Sequence, residues 1–309
     1  MALDLLHQAE RKGKPLSRDR ISRALPLLPV LGRLEFGEAV CLQSARLKKD
    51  DQHQTTRCFG GKRAHRGYRV SKPLKRSEMI IAPSLLAANH ACFGREAERT
   101  GRSGADRLHL DIMDGHFVPN ISFGPQVVKA IRPFTTLFFD IHLMCSKPEV
   151  LLEAFAKAGA DEMIIHVELA HQVPSLIKKI RSLGKKVGLA VNPPTRINAV
   201  QAFLDHIDLL LVMTVNPGFG GQEFIHDVLP KLQRAAAWRR ERKLSYRIGV
   251  DGGINNETAA ECARVGADTF VAGTSLFGAR SLKAGITKMR DIVTKADPRL
   301  APGDALVAH

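Results

Sequence analysis

Between residue 79 and about residue 294, short apolar runs alternate with longer stretches in which apolar residues recur every three or four positions. Runs of that length bounded by turn residues read as strands, and the longer periodic stretches read as amphipathic helices. The pattern predicts strands over 79–83, 107–112, 137–142, 162–167, 186–191, 209–214, 247–251 and 269–272. It predicts helices near 93–102, 125–132, 148–158, 173–183, 196–204, 223–242, 256–264 and 279–294. Strict alternation with apolar strands implies a parallel sheet covered by helices, because parallel neighbours are joined only by crossovers. The tripeptide Gly-Ala-Asp recurs at Gly104, Gly159 and Gly266, each time between a helix and the next strand, at intervals near one and two lengths of a two-unit module. Its glycine would end the helix, where a left-handed backbone costs least. An open doubly wound sheet usually carries a G-x-G-x-x-G turn after its first strand, whereas this chain has Ser84-Leu85-Leu86-Ala87 there. The expected fold is therefore α/β, an eight-stranded (β/α)8 TIM barrel.

Residues 1–78 show no sustained period. Leu25 to Leu34 is an apolar patch broken by Pro26, Pro29 and Gly32. Of the net charge of +15, this quarter carries 18 Lys+Arg against 8 Asp+Glu, and the other residues carry 28 against 23. Low hydrophobicity with excess charge predicts a disordered or loosely structured basic extension. Met79 is a plausible true start, with residues 1–78 an upstream extension. A basic arm can bind nucleic acid, but its basic half offers only Phe59 and Tyr68 as aromatics and no recognisable module, so that partner is disfavoured. Eight acidic residues also weaken an organelle-targeting peptide. Residues 79–295 form the expected barrel domain and 296–309 a flexible tail. No run of 18 apolar residues provides a membrane span, and the first residues lack the apolar core of a secretory signal. Five cysteines without a C-x-x-C pair argue for a reducing compartment and against a disulfide framework or zinc knuckle. The expected location is cytoplasmic.

Candidate chemistry lies where strands end. In 108–120, His109, Asp111 and Met113 share one strand face while Leu108, Leu110 and Ile112 share the other. The pattern returns with Asp140, His142 and Met144, and a later strand ends at Asp251 before Gly252 and Gly253. One buried histidine is ordinarily satisfied by backbone. Two imidazoles and two carboxylates at matching strand ends (His109, Asp111, His142, Asp251) suit a borderline divalent ion better than Mg²⁺ or Ca²⁺. In (β/α)8 barrels those strand ends are where function sits.

Asn216-Pro217-Gly218-Phe219-Gly220-Gly221-Gln222 follows the sixth strand, and further glycines follow the seventh and eighth at Gly252, Gly253 and Gly273. Bare backbone amides near helix starts accept anions. Phosphate sites in these barrels use the loops after strands seven and eight. A phosphorylated small molecule is the economical ligand.

Together with Ile81-Ala82-Pro83-Ser84, Asn192-Pro193 and Val250 to Ile254, these segments resemble the ribulose-phosphate 3-epimerase family over Met79 to about Val293. The resemblance implies a (β/α)8 barrel that interconverts D-ribulose 5-phosphate and D-xylulose 5-phosphate with one divalent metal ion (Zn, Fe, Mn or Co). It implies that His109, Asp111, His142 and Asp251 hold the metal and that Asp111 and Asp251 are the acid/base pair at C3. A metal-stabilised enediolate would lie between the two proton transfers. It further implies substrate contacts from Ser84, His142, Gly218, Phe219, Gly220, Gly221, Asp251, Gly252, Gly253, Gly273 and Thr274. Met113, Met144 and Met213 resemble the family's cap over the site; core filling is the plainer reading of the same methionines. A ketose phosphate partner and a homo-oligomer are the corresponding expectations.

Three departures stand out. Thr274 stands where the family more often has Ser, Ala88-Asn89-His90 replaces its usual helix start, and residues 1–78 have no counterpart. His166 and Glu168 on strand four form a conceivable rival metal shell. The nearest alternative activity is 3-epimerisation of a related ketose phosphate such as allulose 6-phosphate. Decarboxylases and synthases on related barrels use Asp-x-Lys-x-x-Asp, whereas Asp140-Ile141-His142-Leu143-Met144 lacks the lysine.

Overall fold

The computed structural model describes residues 79–299; the expected basic extension 1–78 and the tail from 300 onward lie outside the described residues. The eight strands are β1 (Ile80–Pro83), β2 (Arg107–Met113), β3 (Phe138–Met144), β4 (Glu162–His166), β5 (Lys186–Val191), β6 (Leu209–Met213), β7 (Arg247–Asp251) and β8 (Thr269–Ala272). Seven parallel pairings run in the order β1-β8-β7-β6-β5-β4-β3-β2. The remaining seam, between β1 and β2, is closed by a parallel bridge from Ser84 to His109. The Asp106 amide donating to the Ile81 carbonyl at 3.1 Å closes it further down. The result is the expected (β/α)8 barrel.

Helices α1 (Phe93–Arg102), α2 (Pro125–Ile131), α3 (Leu152–Ala158), α4 (Val173–Ser182), α5 (Leu229–Glu241), α6 (Asn256–Arg264), α7 (Thr274–Phe277) and α8 (Leu282–Ala296) cover the sheet. Leu108, Leu110 and Ile112 belong to the large cluster between strands and helices, as do Ile141, Met163 and Val250. The opposite strand faces fill the barrel with Ala82, Ile164, Ala190, Leu209, Leu211, Met213 and Val271. Large residues there oppose glycines: a Cβ on Gly188 would lie 2.5 Å from Ile164 Cγ1, so that contact requires the glycine.

The Gly-Ala-Asp repeat proves structural. Gly104, Gly159 and Gly266 all adopt positive φ, at 86°, 106° and 108°. The aspartate that follows reaches back to the preceding odd strand. Asp106 accepts the Ile81 amide at 2.7 Å, Asp161 that of Phe139 at 2.7 Å and Asp268 that of Ile248 at 3.2 Å. Asp208 does the same for Val187 at 2.9 Å, a fourth copy whose preceding residues lack the Gly-Ala signature. Each aspartate also carries an arginine: Arg290, Arg132, Arg239 and Arg181 respectively. The two-unit module thus fastens four strand pairs at the end of the barrel opposite the candidate site.

Two elements differ from expectation. The segment predicted as a helix near 196–204 is a run of 3-10 turns, Ile197–His206, whose rise of about 2 Å per residue lets few residues bridge β5 to β6. The short helix α7 directly after β8 was not predicted. The barrel also extends past residue 295: α8 runs to Ala296, and buried Asp297 accepts from Arg299 at 2.8 Å. Among the described residues no helix is long and apolar enough to cross a membrane.

Candidate active site

Register places the chemistry. On β2 and β3, His109 pairs with Asp140, Asp111 with His142 and Met113 with Met144. Period two then points all six side chains into the barrel, layer above layer. Met213 on β6 pairs with Asp251 on β7, which brings Asp251 to the same height from across the mouth.

The four expected ligands converge. His109 Nε2 lies 3.3 Å from Asp111 Oδ1, 3.7 Å from Asp251 Oδ2 and 3.4 Å from His142 Nδ1. His142 Nδ1 lies 3.3 Å from Asp111 Oδ1 and 3.5 Å from Asp251 Oδ2. All four donor atoms fall within 4.8 Å of one another. A cation with bonds of about 2.0–2.2 Å to four tetrahedral donors would separate those donors by roughly 3.3–3.6 Å. Four of these five separations fall within that span and the fifth, 3.7 Å, lies just beyond it, so the residues present fit a divalent ion of the borderline class.

The electrostatics agree. Burial opposes charge on His109, yet Asp111 and Asp140 outweigh it and raise its pKa well above the ordinary value. Burial likewise opposes His142, and hydrogen bonding to Asp111 and Asp251 lifts it. Burial works against the Asp111 carboxylate, but His109 and His142 hold its pKa far below the usual range. The centre of the cluster favours positive charge, which a divalent ion supplies. Ser84 Oγ donates to Asp111 Oδ2 at 2.5 Å, leaving Oδ1 to face the two rings.

Behind the cluster lie groups that the sequence alone did not assign. His109 Nδ1 stands 3.4 Å from Asp140 Oδ2. Asp140 in turn lies 3.8 Å from Arg107, which hydrogen-bonds Glu162. Burial pushes Glu162 up to about 7 against the pull of Arg107. On the other side, His142 Nε2 lies 2.9 Å from His166 Nε2, and His166 Nδ1 lies 3.1 Å from Glu168 Oε2. His166 and Glu168 therefore back a ligand and do not form a separate metal shell. The signal for them was present, since His166 points inward two residues after Ile164, but only register shows that it meets His142. His116 is exposed at the rim, its Nδ1 2.9 Å from the Asp114 carbonyl.

A cavity of about 270 Å³ opens over the cluster, lined by Ser84, Asp111, Met113, Met144, Met213, Asp251 and the glycine loops 217–222 and 252–253 with Gly273 and Thr274. His109 and His142 lie beneath it, fully buried. Met113 and Met144 pack together with Val118, while Met213 joins the barrel interior. Phe219, on the rim, is 55% exposed. The glycine loop is held from both sides: Asn120 Nδ2 donates to the Gly218 carbonyl at 2.7 Å, and Gln222 Nε2 donates to the carbonyls of Asn216 (2.7 Å) and Phe219 (2.9 Å). Gly252 and Gly253 turn with φ of 114° and 62°. A Cβ on Gly252 would clash with Val215 Cγ2, so the turn needs glycine.

Comparison with known proteins decides the family. A model described as the ribulose-phosphate 3 epimerase family matches residues 80–277, which include every group above. The chain belongs to that family. It is 44% identical over 211 residues to a ribulose-phosphate 3-epimerase of Bacillus subtilis, covering 68% of this chain and 97% of the relative. It is 39% identical over 237 residues to a chloroplastic ribulose-5-phosphate-3-epimerase of Arabidopsis thaliana, covering 75% and 84%. Among solved structures, 3-hexulose-6-phosphate synthase from Salmonella typhimurium superposes with a TM-score of 0.54 at 18% identity, over 71% of this chain and all of that one. That likeness concerns the fold alone. The family membership makes the chain an enzyme of the isomerase class.

Proposed function

We propose that the chain interconverts D-ribulose 5-phosphate and D-xylulose 5-phosphate by proton transfer at C3, with one Zn, Fe, Mn or Co ion held by His109, Asp111, His142 and Asp251. The observation that carries this reading is the four-donor cluster, its atoms within 4.8 Å of one another, at the floor of a cavity ringed by glycine amides. The ion would act as a Lewis acid for negative charge that develops beside C3.

Inversion at C3 requires a proton to leave one face and return to the other. Asp111 comes from β2 and Asp251 from β7, strands separated by β1 and β8 around the barrel. The two carboxylates approach the cavity from different sides, so one can remove the proton while the other delivers. Ser84 holds Asp111 Oδ2, which fixes the direction from which that carboxylate reaches the substrate. Met113, Met144 and Met213 line the same cavity with soft apolar surface and would exclude water that could quench a carbanionic intermediate. Gly218, Phe219, Gly220 and Gly221, with Gly252, Gly253, Gly273 and Thr274, would take the phosphate through backbone amides and one hydroxyl.

A cytoplasmic location, supported by five cysteines without a C-x-x-C pair, and no nucleic-acid partner, supported by a basic segment with only Phe59 and Tyr68 as aromatics in its basic half, complete the reading together with a homo-oligomeric state. The test is a comparison of turnover on the pentose 5-phosphates and on allulose 6-phosphate. Faster turnover of the hexose phosphate would replace the proposed substrate with its longer relative.

A further inference from the structure

His142 has two ring nitrogens in different surroundings. Nδ1 faces Asp111, Asp251 and His109. Nε2 faces away, 2.9 Å from His166 Nε2. Two neutral imidazole nitrogens at that distance share one proton, so one ring donates and the other accepts. The direction follows from the far end of the chain. Glu168 Oε2 lies 3.1 Å from His166 Nδ1, and its other oxygen, Oε1, accepts the Asn192 amide at 2.9 Å. An ionised carboxylate only accepts, which puts the His166 proton on Nδ1 and leaves His166 Nε2 bare. His142 Nε2–H must then donate, and the lone pair of a neutral His142 is left on Nδ1, where the four donors meet.

The chain is anchored at both ends. His142 and His166 are fully buried, with ring planes only 19° apart. Phe117 covers His166, with ring centroids 4.7 Å apart. The loop that supplies the Asn192 amide is held by Lys231, whose ammonium donates to the carbonyls of Asn192 (2.9 Å), Pro193 (2.6 Å) and Thr195 (2.7 Å). The other imidazole of the cluster, His109, has a carboxylate directly behind it, Asp140 Oδ2 at 3.4 Å. For His142 the carboxylate acts one ring further out.

We propose that His166 and Glu168 are positioning residues that lock His142 in the tautomer with Nδ1 free, and so set the affinity of the cluster for its divalent ion. This rests on the metal reading of the four ligands. Partners of this kind behind a metal-bound histidine are worth about 10–100-fold in affinity. Glu168→Gln is the decisive change because its effect is directional. The Asn192 amide still needs an acceptor, so the new carboxamide oxygen would stay there and its NH₂ would face His166 Nδ1. That donor would force the His166 proton onto Nε2, and His142 would have to carry its own proton on Nδ1, against the ion.

The experiment measures Co²⁺ affinity of the full chain by chelator competition, for wild type, Glu168→Gln and His166→Phe, with ¹⁵N-histidine NMR of the wild type loaded with diamagnetic Zn²⁺. The expected result is wild-type protonation at His142 Nε2 and His166 Nδ1, with Co²⁺ affinity lower by about 10–100-fold in Glu168→Gln. Its metal-free melting temperature should stay near that of wild type, which a purely structural role would lower. Wild-type affinity in Glu168→Gln would overturn the proposal. So would a wild-type His166 carrying its proton on Nε2, an observation that needs no variant to fold. A wild type that binds no Co²⁺ would instead remove the metal centre itself and the proposal with it.

Discussion

Asp251→Asn keeps the shape of the side chain and removes a negative charge and a base. In the structure Asp251 Oδ2 lies 3.5 Å from His142 Nδ1 and 3.7 Å from His109 Nε2. The substitution therefore touches both proposed duties, ligand and proton carrier, and the assay must separate them. At saturating metal the ligand contribution is compensated and the proton contribution remains. Loss of a positioned acid or base lowers rate by about 10²–10⁴-fold, or about 3–5 kcal/mol of barrier. The informative assay runs each ketose phosphate separately in D₂O and follows both inversion and deuterium entry at C3 by NMR. With Asp251 gone, Asp111 still serves its own face. One epimer should then exchange its C3 hydrogen at least about ten times faster than it inverts, while the other ceases to exchange; Asp111→Asn should exchange the opposite epimer. Equal loss of exchange on both epimers, with metal still bound at wild-type stoichiometry, would refute the two-base reasoning.

Two further outcomes follow from geometry and charge. Gly252→Ala should be destabilising by about 2–4 kcal/mol, because it adds positive-φ strain and a clash at a position where Val215 leaves no room for a Cβ; a melting temperature within a degree of wild type would contradict the packing described. Burial lowers His166 to about 4 from its ordinary 6.5, so between those values the unfolded chain binds a proton that the folded one refuses. Its contribution should be complete above pH 6.5 and drain away as pH falls to 4, by up to about 3 kcal/mol. Subtracting the unfolding curve of His166→Gln from that of wild type isolates it, and a flat difference across that window would count against a buried neutral ring.

The barrel was legible because its signal is periodic. Strands β2 and β3 alternate faithfully, and Gly104, Gly159 and Gly266 mark helix ends that the structure turns left-handed. What the pattern could not convey is register. Asp140 and His166 are inward-facing residues like many others until strand pairing sets one beside His109 and the other beside His142. Asp208 repeats the strand-fastening role without its glycine signature, and Ile197–His206 chose 3-10 geometry where an apolar period suggested an α-helix. The candidate site fared better than its supports. Its members are polar residues on apolar strands, where each one demands a partner, whereas the groups behind them answer that demand only in three dimensions.

The most direct test of the central claim pairs metal analysis of the purified protein with C3 deuterium exchange on ribulose 5-phosphate, before and after chelation. The account predicts one equivalent of a Zn, Fe, Mn or Co ion, exchange lost on chelation, and exchange restored when the ion is returned. Undiminished exchange in protein stripped of its metal would contradict it.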